Sequence, residues 1–169
     1  MLQVFLLLEF LKVLNKKIEM RVLIQRVERA QVTINKKDKR LIGNGLLIFL
    51  GIENDDTTED VNWLSAKISK LRIFDDNEGV MNNSLMDING DAMVISQFTL
   101  HAKTRKGSRP SYIKAAKPDI AIPIYEEFIV RLSSEIRRNV VSGEFGAHMD
   151  VELINDGPVT IWIDTKNKE

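Results

Sequence analysis

The segment Leu46–Ile52, LLIFLGI, is apolar or glycine at every position and has Gly45 immediately before it. Such a run is short for a helix and reads as a buried strand, so the rest of the chain must supply its cover. With 169 residues, 44% hydrophobic and 28% charged, the chain is long enough for one domain with a real core and has no bias towards disorder.

The surrounding pattern predicts an α+β fold. Arg21–Ile34 reads as extended chain, with Val22, Ile24 and Arg26 on one side and Leu23, Gln25 and Val27 on the other; Ala30–Ile34 reads as a second strand. Lys36–Arg40 is a polar turn. Asp56 is placed to cap a helix with Glu59 as its capping-box partner, and Val61, Leu64, Ile68 and Leu71 form that helix's apolar face. A short strand is expected at Arg72–Phe74 and another at Met93–Leu100. Pro118 and Asp119 open a second helix reaching about Val141, with Ile129, Leu132 and Ile136 inward. Met149–Asn155 and Val159–Asp164 alternate as strands around Asp156-Gly157-Pro158. Strands outnumber the two helices and do not alternate with them regularly, which argues for a mixed, largely antiparallel sheet.

Residues 1–19, MLQVFLLLEFLKVLNKKIE, differ in character. The apolar run is too short and too broken by Glu9 and Lys12 to span a bilayer, and it lacks the basic start and small-residue cleavage site of a secretory signal. The expectation is an extension outside the native fold, with residues 20–169 as the domain and Met20 as the natural start. No membrane partner is expected.

Several chemistries are missing. No cysteine is present, which removes disulfides, thiolate metal ligands and a cysteine nucleophile; a cytoplasmic setting is compatible with this. GxGxxG, Walker A, HExxH and GxSxG motifs are absent. Two histidines, His101 and His148, make a structural zinc site a poor reading, and neither metal nor cofactor is expected. Counting leaves a Ser-His-Asp triad open, because Ser96 and His101 exist, but no local signature supports it. Formal net charge is zero, so any nucleic-acid contact must use a local patch. One lies in residues 101–117, where Lys103, Arg105, Lys106, Arg109, Lys114 and Lys117 occur without an acid. By composition alone this is a solvated loop; six cations would also suit phosphates.

Two further segments carry polar groups at strand ends. Ser96-Gln97-Phe98-Thr99-Leu100 ends an apolar strand just before the cationic stretch. Asn155-Asp156-Gly157-Pro158-Val159-Thr160 carries a turn signal. Each alone reads as a strand end or a hairpin corner. Together, about sixty residues apart, they resemble the paired signature motifs of the D-aminoacyl-tRNA deacylase family. LIQRV at 23–27, GLLIFLGIE at 45–53, Lys70–Phe74 followed by Met81-Asn82, and Lys106-Gly107-Ser108-Arg109-Pro110-Ser111-Tyr112 are similar to other parts of that family. The resemblance spans about Met20–Asp164.

The resemblance implies a sheet curled into a partial barrel with two main helices. It also implies a homodimer with the active site at the interface, and hydrolysis of the ester joining a D-amino acid, or mischarged glycine, to tRNA. Gly157 and Pro158 match the family's Gly-cis-Pro chiral filter, which enters the partner's pocket and excludes an L side chain. Arg26 matches the arginine that steadies it. Ser96, Gln97, Phe98 and Thr99 match the catalytic wall, where backbone N–H groups stabilise an oxyanion. The resemblance further implies that the tRNA 2′-hydroxyl assists the attacking water; no base adjacent to Thr99 is evident that would make it a nucleophile. Lys103, Arg105, Lys106 and Arg109 match a tRNA-binding loop. The rival readings are a tRNA-binding module without turnover and a serine or threonine esterase.

Overall fold

A computed structural model describes residues 20–167. The expected extension at residues 1–19 lies outside the described residues.

The first strand, β1, is Arg21–Ile34, followed by β2 (Asp38–Ile42) and β3 (Gly45–Gly51). Helix α1 is Thr58–Ser69; β4 (Phe74–Asp75) and β5 (Met81–Asn83) form a small hairpin. Strand β6, Asp91–Ser96, leads into a 3-10 turn at Phe98–His101. Helix α2 is Pro118–Ile136, then come β7 (Val141–Ser142) and β8 (Met149–Asp164).

Strand β1 is the hub. Its first half pairs antiparallel with β3, its second half with β2, and its other edge pairs antiparallel with β8 along nearly its whole length. The pairs β3–β6 and β6–β7 are parallel. The sheet is therefore mixed and largely antiparallel, and it curls into a nearly closed, barrel-like form.

Both faces of β3 and β6 are covered, which is why LLIFLGI is a continuous run and not an alternating one. Leu46, Ile48, Leu50, Ala92 and Val94 face a core built with Val61, Leu64 and Ile68 of α1 and Phe128, Leu132 and Ile136 of α2. Leu47, Met93 and Ile95 face the opposite way, onto Val27, Val32, Ile34 and Ile42. Phe128 has no exposed surface; its truncation to alanine would cost about 3–5 kcal/mol. Tyr125 donates from its phenol to Val94 O at 2.8 Å, tying α2 to β6, and burial pushes that phenol above its ordinary range.

Six local expectations need correction. The turn placed at Lys36–Arg40 is shorter, because β2 begins at Asp38. Arg21–Ile34 is one strand, not two, because β8 pairs along both halves. The α1 cap is Thr57, whose N–H and hydroxyl both donate to the Asp60 carboxylate at 2.9 and 3.1 Å. Asp56 instead accepts the Glu53 N–H at 2.7 Å, closing the turn before the helix. Helix α2 stops at Ile136, because Arg137 takes a left-handed conformation with φ 54°. The short strand in the middle begins at Phe74 and not at Arg72. Finally, Asp156-Gly157-Pro158 is no hairpin corner: residues 149–164 run in one direction along β1.

Candidate active site

What Asp156–Val159 does instead follows from register. Gln25 pairs with Thr160 and Val27 with Asn155, so two steps along β1 correspond to five along β8. The three extra residues leave the ladder as an excursion opposite Arg26. Two side chains hold it. Arg26, with only 4% of its surface exposed, donates from Nε to Asp156 O at 3.1 Å and from Nη1 to Ile73 O at 2.7 Å. Its Nε also lies 3.1 Å from Asp156 Oδ2, and Nη1 lies 3.4 Å from Asp75 Oδ1. Asn155 closes the neck: its Nδ2 donates to Arg26 O at 3.0 Å and to Val159 O at 2.9 Å. A planar guanidinium and a carboxamide thus satisfy the carbonyls that lost their ladder partners. The Gly157–Pro158 peptide is cis, and Gly157 sits at φ 124°. A Cβ there would lie 2.8 Å from Val159 Cγ2 and 3.0 Å from Arg26 Nη2.

The second segment ends differently from a straight strand. Strand β6 stops at Ser96, and Phe98–His101 turn as a 3-10 helix, so the strand expected over Met93–Leu100 ends four residues early. The Gln97 N–H donates to Leu50 O at 2.8 Å, anchoring the turn to β3. The Gln97 carboxamide donates to the Thr99 hydroxyl. Arg21 Nη1 donates to Leu100 O at 3.2 Å. Phe98 is 55% exposed and meets Tyr112 edge-on, with ring centroids 5.0 Å apart.

Ser96, Gln97 and Phe98 line a cavity of about 290 Å³ whose other wall includes Phe145, Ala147 and His148. The wall from Phe145 to His148 was not anticipated. In the sequence His148 stood out only as one of two histidines, and Gly143 and Gly146 mark a break in the chain without pointing to a cavity wall. Asn155 was visible within its motif, but its clamp was not.

The cationic stretch is an exposed loop. Lys103 and Ser111 exchange both backbone hydrogen bonds, at 2.8 and 3.0 Å, and Arg105, Lys106 and Arg109 lie exposed between them. It leaves directly from the 3-10 turn, with Lys103 two residues after His101.

The two motif segments stand apart within one chain. Ser96 pairs with Leu50 and Leu50 with Val22, whereas the excursion faces Arg26. Four residues of β1 separate the two levels, about 13 Å, and three strand spacings of about 4.8 Å separate β8 from β6. Among the described residues no group of histidines and carboxylates is arranged to hold a metal ion, and no helix is long and apolar enough to cross a membrane.

Residues 23–164 match the family model described as D-Tyr-tRNA(Tyr) deacylase. A D-aminoacyl-tRNA deacylase of Bacteroides fragilis is 61% identical over 150 residues, 89% of this chain and 100% of the relative. One from Flavobacterium psychrophilum is 60% identical over the same shares. Among solved structures, one titled c-Myc DNA Unwinding Element Binding Protein superposes with a TM-score of 0.79 at 36% identity, covering 85% of this chain and 97% of that one. A probable eukaryotic D-amino acid tRNA deacylase superposes with a TM-score of 0.76 at 18% identity, covering 87% and 100%, and so shares the fold. With both signature segments inside the matched range, the chain belongs to the D-Tyr-tRNA(Tyr) deacylase family, hydrolases that deacylate aminoacyl-tRNA.

Proposed function

We propose that this chain hydrolyses the ester of D-aminoacyl-tRNA, and of glycine mischarged on tRNA, and rejects the L-aminoacyl form by shape at Gly157 and Pro158. The observation that carries the reading is the excursion at Asp156–Val159, lifted out of the ladder and held by Arg26 and Asn155. A backbone edge fixed in this way can refuse a side chain on one side of an α-carbon. Glycine, having no side chain, passes such a filter.

Ser96, Gln97, Phe98 and Thr99 form the other wall. The backbone N–H groups of Phe98 and Thr99 would meet the developing oxyanion, while the Gln97 N–H is taken by Leu50 O. Thr99 is engaged by the Gln97 carboxamide, which does not act as a base, so the threonine hydroxyl is not activated for attack. The ribose 2′-hydroxyl of the tRNA assists water, and the protein contributes position and electrostatics. Lys103, Arg105, Lys106 and Arg109 hold acceptor-end phosphates. Since one chain keeps the excursion far from the Ser96–Thr99 wall, the working site takes the excursion from a second copy, in a homodimer. Such a reaction belongs with translation, in the cytoplasm.

The test is deacylation of D-tyrosyl-tRNA and L-tyrosyl-tRNA side by side at matched enzyme concentration. Release of the D form alone supports the proposal. Release of both at equal rates removes the chiral filter, and release of neither points to a binding module without turnover. Release of amino acid from small esters without RNA would favour the esterase reading.

A further inference from the structure

Outside the two motif segments, the most enclosed ionisable pair among the described residues is His101 and Glu53. His101 has no exposed surface and closes the 3-10 turn that carries Phe98 and Thr99. Its Nδ1 lies 3.0 Å from Glu53 Oε1. The ring fits only because Gly51 has no side chain: a Cβ there would lie 2.9 Å from His101 Nε2 and 3.0 Å from Gln97 O.

Glu53 meets more than the histidine. It is 6% exposed, its N–H donates to Asp56 Oδ2, and it forms an isolated antiparallel bridge with Ala115, where the cationic loop returns. Lys114 Nζ lies 3.8 Å from Oε1 and Lys166 Nζ lies 3.5 Å from Oε2. One buried carboxylate therefore meets the end of the turn, the return of the loop and the segment just after β8.

We propose that Glu53 is a positioning residue for deacylation, holding the Gln97–Thr99 turn through His101 and registering it against the return of the cationic loop at Lys114 and Ala115. The turn needs such a hold. It continues no strand, and among the contacts that hold it are the Gln97 N–H on Leu50 O, the Arg21 contact to Leu100 O, the Phe98–Tyr112 ring contact and the His101–Glu53 pair. A buried charge tied to several partners resists displacement, because moving one partner leaves the charge uncompensated. The proposal rests on the deacylase reading for its kinetic consequence, but its structural consequence needs no substrate.

The experiment compares the full chain with Glu53→Gln, which keeps the shape and removes the charge, and with His101→Gln, which serves should the first fail to fold. Amide exchange is followed at Leu100 and Ala102 at the turn and at Ser111 and Ala115 in the loop, with Tm and steady-state deacylation of D-tyrosyl-tRNA measured in parallel. The expected result is faster exchange in both segments and kcat lower by about tenfold, with KM changed by less than about threefold. The double variant is expected to be no worse than Glu53→Gln, because the two act as a unit. A lowered Tm with kcat unchanged, or exchange that rises in neither or only one segment, overturns the proposal. If the parent chain releases no amino acid, the deacylase reading falls, and the exchange measurement alone decides whether Glu53 holds the turn.

Discussion

Arg26 Nε lies 3.1 Å from both the main-chain oxygen and a carboxylate oxygen of Asp156. The same guanidinium reaches Ile73 O at 2.7 Å, so it joins β8's excursion to the segment after α1 while itself buried. The excursion and its support are one unit.

Arg26→Met keeps the apolar stem and removes the donors. It leaves the Ile73 carbonyl buried without that partner, a cost of about 1–3 kcal/mol. Denaturant unfolding should show that loss, and D-tyrosyl-tRNA deacylation should fall by about tenfold or more as the excursion loosens. Wild-type turnover in a folded Arg26→Met chain would detach Arg26 from the site.

Gly157→Ala places a Cβ at φ 124° and against Val159 and Arg26. Strain of about 1–3 kcal/mol is expected, borne locally. Deacylation should drop further than the unfolding midpoint suggests. Equal, small effects on both would show that the excursion tolerates rearrangement.

Thr99→Ala should retain substantial deacylation, because the hydroxyl is paired with Gln97 and has no base beside it. Inactivation to background, with the protein folded, would support a threonine nucleophile.

Neutralising Lys106 and Arg109 to glutamine should weaken tRNA binding and flatten its salt dependence. Two lost phosphate contacts reduce the slope of log K against log salt by roughly 1.4–1.8. An unchanged slope would take these residues out of the interface.

Asp76 accepts the backbone N–H groups of Val80 and Glu78, and these hold its carboxyl below the usual value of 3.8. A folded value below the unfolded one stabilises the turn above the unfolded value. That contribution is lost as pH falls through the folded value. A carboxyl titration by NMR should place Asp76 below an unperturbed aspartate, and Asp76→Asn should remove the acid-induced opening of this turn. A titration at or above the ordinary value would contradict the geometry.

The alternation of Val22, Ile24 and Arg26 and the run at Leu46–Ile52 were legible, because a strand's faces are written with period two and a strand buried on both sides has no polar face to show. Helix ends were less so. Asp56 and Thr57 are both good caps by type, and only the position of Asp60 decides that Thr57 serves. The hairpin corner was misread for a related reason: Asp-Gly-Pro signals a departure from the strand, but whether the chain reverses or rejoins the same partner depends on β1, more than a hundred residues earlier. His101 and Glu53 gave no periodic signal, since their meeting depends on the room left by Gly51.

What the sequence determined by itself was the composition of the core strands, the two signature segments and the cationic loop, because hydrophobic period and turn chemistry act over a few residues. The tertiary structure decided how those pieces meet: the three residues pushed out opposite Arg26, the turn that replaces the end of β6, and the distance between them in one chain. These follow from strand register and from hydrogen bonds between residues far apart in sequence, such as Arg26 and Asp156, and no local pattern encodes such pairings.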